Sequence, residues 1–135
     1  MHSIKMPVEM NYICHAVETA SGTFLISYGY NDFREHRVSE LAPDFKTVIR
    51  SFEGKGGYGS SELYQPVYMT LNEDQCVFVA DMQNSRVQKL GKDLTLKDSV
   101  STDSFRPRRI FYDYETKVLI IGVSMYGLKF INIID

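Results

Sequence analysis

The chain has 135 residues, with 15 Lys+Arg against 17 Asp+Glu and a formal net charge of −2. That length is one ordinary domain, able to bury about two-thirds of its unfolded surface without a disulfide or metal staple. With 44% hydrophobic and 24% charged residues it is globular rather than disordered, and the near-neutral balance argues against a generic polyanion binder while leaving room for a local basic face.

Taken in order, the chain alternates polar turns with short runs rich in Val, Ile, Phe and Tyr. The turn Thr19-Ala20-Ser21-Gly22 precedes the apolar run Phe24-Leu25-Ile26. A polar stretch around Gly29-Tyr30-Asn31-Asp32 leads to the alternating run His36-Arg37-Val38-Ser39-Glu40-Leu41, and a fourth β-prone run covers residues 45–52. A glycine-rich loop then leads to Pro66. A second unit follows, with the turn Asn72-Glu73-Asp74, the run Val77-Phe78-Val79-Ala80, the loop Met82-Gln83-Asn84-Ser85, the run Arg86-Val87-Gln88-Lys89-Leu90 and a fourth run over residues 94–100. A third begins at Arg106-Pro107-Arg108-Arg109-Ile110, turns at Asp113-Tyr114-Glu115-Thr116, and carries Val118-Leu119-Ile120-Ile121 and Gly127-Leu128-Lys129-Phe130-Ile131.

The units are copies of one pattern. A shift of 41 residues sets Pro66 on Pro107, Val77-Phe78-Val79 on Val118-Leu119-Ile120, and Arg86 on Gly127. Upstream, Arg37-Val38 meets Arg86-Val87 at a shift of 49, and Phe24-Leu25-Ile26 meets Val77-Phe78-Val79 at 53, so the first unit carries a four-residue insertion in its hairpin. The units span roughly residues 11–60, 61–104 and 105–135 of a single domain. Short, evenly spaced runs without a helical period predict an all-β chain of antiparallel meanders. The second run of each unit is continuously apolar, which means that both faces of its sheet are covered. Four-stranded sheets stacked around an axis do that, so the pattern predicts a partial β-propeller of about three blades, with a β-sandwich as the alternative.

Unit two, with Gln65-Pro66, Phe78-Val79-Ala80-Asp81, Asn84 and Arg86-Val87-Gln88, resembles the NHL-repeat family of β-propellers. Unit one keeps His36-Arg37-Val38 but has Tyr28 at the place of Asp81, and unit three has Gly122 and Gly127 at the places of Asp81 and Arg86. The resemblance implies a non-catalytic module for protein–protein interaction, such as the target-recognition part of a tripartite-motif protein linked to a ubiquitin ligase. It also makes single-stranded RNA binding the alternative. Asp81, Asn84, Arg86 and Arg37 read as scaffold: a carboxylate and a guanidinium meet across a hairpin while Asn84 bonds the turn backbone.

Other chemistry finds little support. Gly54-Lys55-Gly56-Gly57-Tyr58-Gly59 fits a dinucleotide fingerprint, but the seven residues to Pro66 leave no room for the phosphate-binding helix. His2, His15 and His36 have no ligand spacing with Cys14 or Cys76. His15 reads as a partly buried polar core residue, and the cysteines as buried free thiols. No catalytic set, cofactor or metal is expected. The strongest basic cluster, Arg106, Arg108 and Arg109, stands near Tyr112 and Tyr114, and basic groups beside stacking rings suit single-stranded RNA or a protein partner.

The N-terminus lacks the apolar core of a signal peptide, and the longest apolar run, residues 118–123, falls far short of the ~18 residues of a membrane span. The expectation is a cytoplasmic protein with no membrane contact. Three blades are fewer than the four to eight of a closed propeller, so the chain reads as a piece of a longer propeller, as half of a paired ring, or as an open arc. Residues 4–10 are a candidate for the missing fourth strand of unit three, which stops at Ile133-Ile134-Asp135.

Overall fold

A computed structural model describes residues 2–6, 10–30, 35–52, 56–123 and 127–132. The first sheet contains β1 (Ile13–Glu18), β2 (Phe24–Tyr28), β3 (Arg37–Leu41) and β4 (Val48–Ser51). The second contains β5 (Pro66–Leu71), β6 (Val77–Asp81), β7 (Arg86–Leu90) and β8 (Leu96–Ser101), with one 3₁₀ turn, Met82–Asn84, between β6 and β7. The third contains β9 (Pro107–Asp113), β10 (Val118–Val123) and β11 (Gly127–Asn132). Each is an antiparallel meander with strands in chain order. β1 and β2 lie against β5, and β5 and β6 lie against β9. Three sheets stacked in succession, with no closed barrel among the described residues, make the chain all-β, consistent with the partial propeller expected from the repeat and with its sandwich alternative.

Burial follows coverage. β6 sits in the middle sheet and buries every residue from Val77 to Asp81. β10 is equally apolar in sequence but buries only alternate residues, because one of its faces has no sheet against it. Leu25, Val38, Met69, Leu71, Val79 and Leu90 fill the layer between the first two sheets. Phe78, Val87, Ile110, Tyr112, Leu119 and Ile121 fill the layer between the second and third.

The pairing corrects the repeat at one point. Asp81 pairs with Arg86, and Tyr28 with Arg37, as the sequence shifts imply. In the third sheet, however, Val123 pairs with both Pro107 and Gly127, whereas Gly122 lies one rung in. Val123, not Gly122, therefore occupies the position of Asp81. The left-handed residue that closes the turn between first and second strands gives the reason. It is Gly22 (φ 80°), Gln75 (φ 62°) and Lys117 (φ 59°) in the three units, so this turn in unit three holds one more residue than in unit two. The fourth strands also start later than the β-prone runs. Phe45 and Leu94 take left-handed φ values of 59° and 61°, which makes them turn residues. Cys14 and Cys76 are free thiols, but half-buried rather than buried.

The two outer faces of the stack differ. On the first sheet, Met6 and Met10 pack against Ile26, Tyr28, Leu41 and Phe24. Residues 2–6 and Met10 form no strand; residues 7–9, like 133–135, lie outside the described residues. Met6 and Met10 thus pack on the first sheet, and among the described residues 4–6 and 10 none adds a strand to the third. On the third sheet, Phe111 and Leu128 stay exposed. Met10 is 5% exposed, and truncating a buried Met typically costs about 2–5 kcal/mol. Met10→Ala is expected to lower the unfolding free energy by about 2 kcal/mol in urea titrations; an unchanged midpoint would show that the segment does not cover this face.

Candidate functional site

Asp81 is fully buried at the end of β6 and is served by three donors. Its Oδ1 accepts the Tyr64 backbone N–H (2.7 Å), and its Oδ2 accepts from Asn84 Nδ2 (2.9 Å) and Arg86 Nε (2.7 Å). Burial pushes the Asp81 carboxyl up, and these donors oppose it. Arg86 Nη2 continues outward to the carbonyls of Gly59 (2.7 Å) and Glu62 (2.6 Å), and Gln88 Nε2 reaches that of Ser60 (2.9 Å). Asn84 donates to the Gly57 carbonyl (2.9 Å) as well as to Asp81, so it bonds the connection between blades rather than its own turn. From the first blade, buried His36 accepts the Gln65 N–H at Nδ1 (2.9 Å). The segment from Gly57 to Gln65 is therefore gripped from both sides. Its glycines serve that packing: Glu62 Oε2 accepts the Gly59 N–H (3.0 Å), and a Cβ on Gly57 would lie 2.1 Å from Glu62 Oε2. No helix follows, which leaves the dinucleotide fingerprint without a binding role; Gly54 and Lys55 lie outside the described residues.

The strand directions sort the remaining polar residues between two ends. Asp44, Asp93 and Asp113 lie in turns at one end. Each caps its own turn, Asp44 with Thr47, Asp93 with Thr95 and Asp113 with Thr116. These hydrogen bonds hold the three carboxyls below their ordinary range. Glu73 pairs there with Lys117, whose hydrogen bond lowers the Glu73 carboxyl. The opposite end carries Arg106, Arg108 and Arg109, all exposed, together with Tyr12, Tyr30 and Tyr58 at 69%, 53% and 69% exposure. Tyr12 faces Tyr30 (5.8 Å between centroids), and Tyr58 stacks on Tyr64 (5.2 Å), which stacks on His36 (5.0 Å). These tyrosines escaped the sequence reading because they come from three different connections.

The tyrosines singled out beside the arginine cluster go elsewhere. Tyr112 is 1% exposed and stacks on Phe78 in the core, so it offers no ring to a ligand. Tyr114 is exposed but lies past the far end of β9, five residues and about 17 Å along the strand from Arg109, with its hydroxyl donating to the Leu71 carbonyl (2.9 Å). What accompanies Arg109 is a stack built from equivalent positions of the three first strands. His15 pairs with Ser27, Tyr68 with Ala80 and Arg109 with Gly122, each next to a bulge. The His15 ring stacks on Tyr68 (3.8 Å, 21°), and the Arg109 guanidinium lies over the same Tyr68 ring (5.1 Å). His15 Nδ1 accepts the Met69 N–H (3.2 Å). Burial, and then the charge of Arg109, lower the His15 pKa. Arg37 stands opposite Tyr28, and among the described residues it has no carboxylate partner and its buried Nε makes no hydrogen bond, while the Tyr28 hydroxyl meets Ser39 (3.0 Å).

Among the described residues no cluster of three His, Cys, Asp or Glu could hold a metal, and no helix is long and apolar enough to cross a membrane. No family model and no curated protein matches the chain.

Two outcomes follow from these geometries. Asp81→Ala strands Arg86 and removes the acceptor of the Tyr64 N–H, and is expected to cost about 3–5 kcal/mol in urea unfolding; a loss below about 1 kcal/mol, the range of a surface pair, would contradict the clamp. His15 is expected to titrate by NMR below the ordinary value near ~6.5, and to move upward in Arg109→Gln. Its stabilising contribution is complete above the unfolded value and fades as pH falls through the folded one, because the unfolded chain takes up the proton first. A midpoint at or above ~6.5 would contradict the stack.

Proposed function

We propose that the chain is a non-catalytic NHL-type propeller module of the cytoplasm that binds another protein through its arginine end. In a tripartite-motif setting that protein would be the target presented to a ubiquitin ligase. The observation that carries the reading is the division between the ends. Tyr12, Tyr30 and Tyr58 stand exposed at the end that carries Arg106, Arg108 and Arg109, while the acids of the other end are bound in their own turns. Exposed Tyr and Arg are the residues that most often anchor protein interfaces.

Single-stranded RNA is the second reading. Tyr58 favours it, since its ring stacks on Tyr64 and the residue is 69% exposed at the end that holds the arginines. Affinity capture from a lysate separates the readings. The wild-type chain is expected to retain a protein that the Tyr12→Ser/Tyr30→Ser/Tyr58→Ser variant loses and the Lys46→Ser/Lys92→Ser variant of the opposite end keeps. Capture that survives nuclease and moderate salt supports the protein. Capture abolished by ribonuclease, with affinity falling steeply as salt rises, supports RNA. Equal retention by both variants contradicts the assignment of this end.

A further inference from the structure

We infer that Arg109, with Arg108 beside it, is a preorganised fork for an oxyanion on an extended acidic segment of a protein partner; this deepens the protein-binding reading and rests on it.

Three observations carry the inference. The first is the lack of internal compensation. Arg50 pairs with Glu40 and Arg86 with Asp81, but neither Arg108 nor Arg109 has a carboxylate among the described residues. Both are exposed, and among the described residues the one hydrogen bond of the Arg109 side chain runs from Nη1 to the neighbouring Arg108 carbonyl (2.8 Å). The second is restraint. The guanidinium lies over Tyr68, Tyr68 lies against His15, and His15 is anchored by the Met69 N–H. A guanidinium held by its face keeps its edge for ligands, and the planar edge matches a carboxylate or phosphate through two parallel hydrogen bonds. Part of the ordering entropy of a long side chain is thus spent before binding. The third is what the surroundings lack. Tyr68 is already in contact with both His15 and Arg109, and Tyr112 is buried, so of the rings of β5 and β9 only Phe111, exposed two residues along from Arg109, is open beside the fork: a single platform, not the row on which successive bases stack. A chain of nucleotides needs such platforms; an acidic peptide does not.

The shared chemistry is a planar-fork oxyanion, which a peptide can supply as Asp or Glu carboxylates or as a phosphoserine. The probes are therefore a fluorescein-labelled decapeptide of alternating Asp and Glu, its Asn/Gln counterpart, the Asn/Gln peptide with one central phosphoserine, and single-stranded U10 RNA. Anisotropy titrations with the full chain are expected to show binding of an acidic peptide over the Asn/Gln peptide. Arg109→Gln, and also the charge-preserving Arg109→Lys, are expected to weaken it about tenfold or more, while Lys46→Gln at the opposite end leaves it unchanged. The ratio of the Asp/Glu to the phosphoserine affinity assigns the source of the oxyanion. The His15 ring resonances are expected to shift on peptide addition, because the bound charge sits across Tyr68 from them. Binding by Arg109→Lys equal to wild type, tighter binding of U10 than of either anionic peptide, or no binding at all would overturn the inference. If a captured protein depends on the exposed tyrosines while neither anionic peptide binds, the protein reading stands and this inference falls.

Discussion

The buried carboxylate of Asp81 is the constraint from which most of the architecture follows. A fully buried acid is costly unless its oxygens are occupied, and here a backbone N–H, an amide and a guanidinium occupy them. Two of those donors reach on to Gly57, Gly59 and Glu62. The carboxylate therefore organises the passage between the first and second blades as well as its own hairpin. With His36 holding Gln65 from the first blade, the passage becomes a wedge that sets the two sheets against each other.

This explains why the motif occurs once in full. The passage into the second blade, between Ser51 and Pro66, is long and must be held along its length. The passage into the third blade, between Ser101 and Pro107, is short and is held by its own turn: the Thr102 N–H donates to the Ser85 carbonyl (2.9 Å), and the Thr102 hydroxyl bonds the Phe105 carbonyl. An apolar Val123 can stand there because no connection needs a carboxylate. In the first blade, Tyr28 fills the position and turns its hydroxyl to Ser39, and Met6 and Met10 cover the adjoining face.

Much of the fold was legible because it depends on local chemistry that repeats: polar turns, apolar runs, and Asp81 and Arg86 at hairpin spacing. The register of unit three was not, since one extra turn residue before Lys117 leaves no trace in composition and shows only as a displaced left-handed φ. The basic cluster was legible, but its aromatic neighbours were misjudged from sequence proximity. Alternation along β9 held the missing signal: Ile110 and Tyr112 share the buried parity, and Arg109 and Phe111 the exposed one. The stack of His15, Tyr68 and Arg109 could not be read from identity, because three different residue types occupy the equivalent positions. Only the strand register brings them together.

Fold and function meet in that arrangement. The Gly57–Gln65 passage sets the first blade against the second, and the packing of β5 on both β1 and β9 rests Tyr68 on His15 and Arg109 on Tyr68. The most direct measurement is amide hydrogen exchange by NMR. The clamp predicts that the Tyr64 and Gln65 N–H groups, though in a connection without strand structure, exchange as slowly as those of β6, because they open only when the domain does. Exchange of these two amides at the rate of an open loop, while β6 stays protected, would contradict the account.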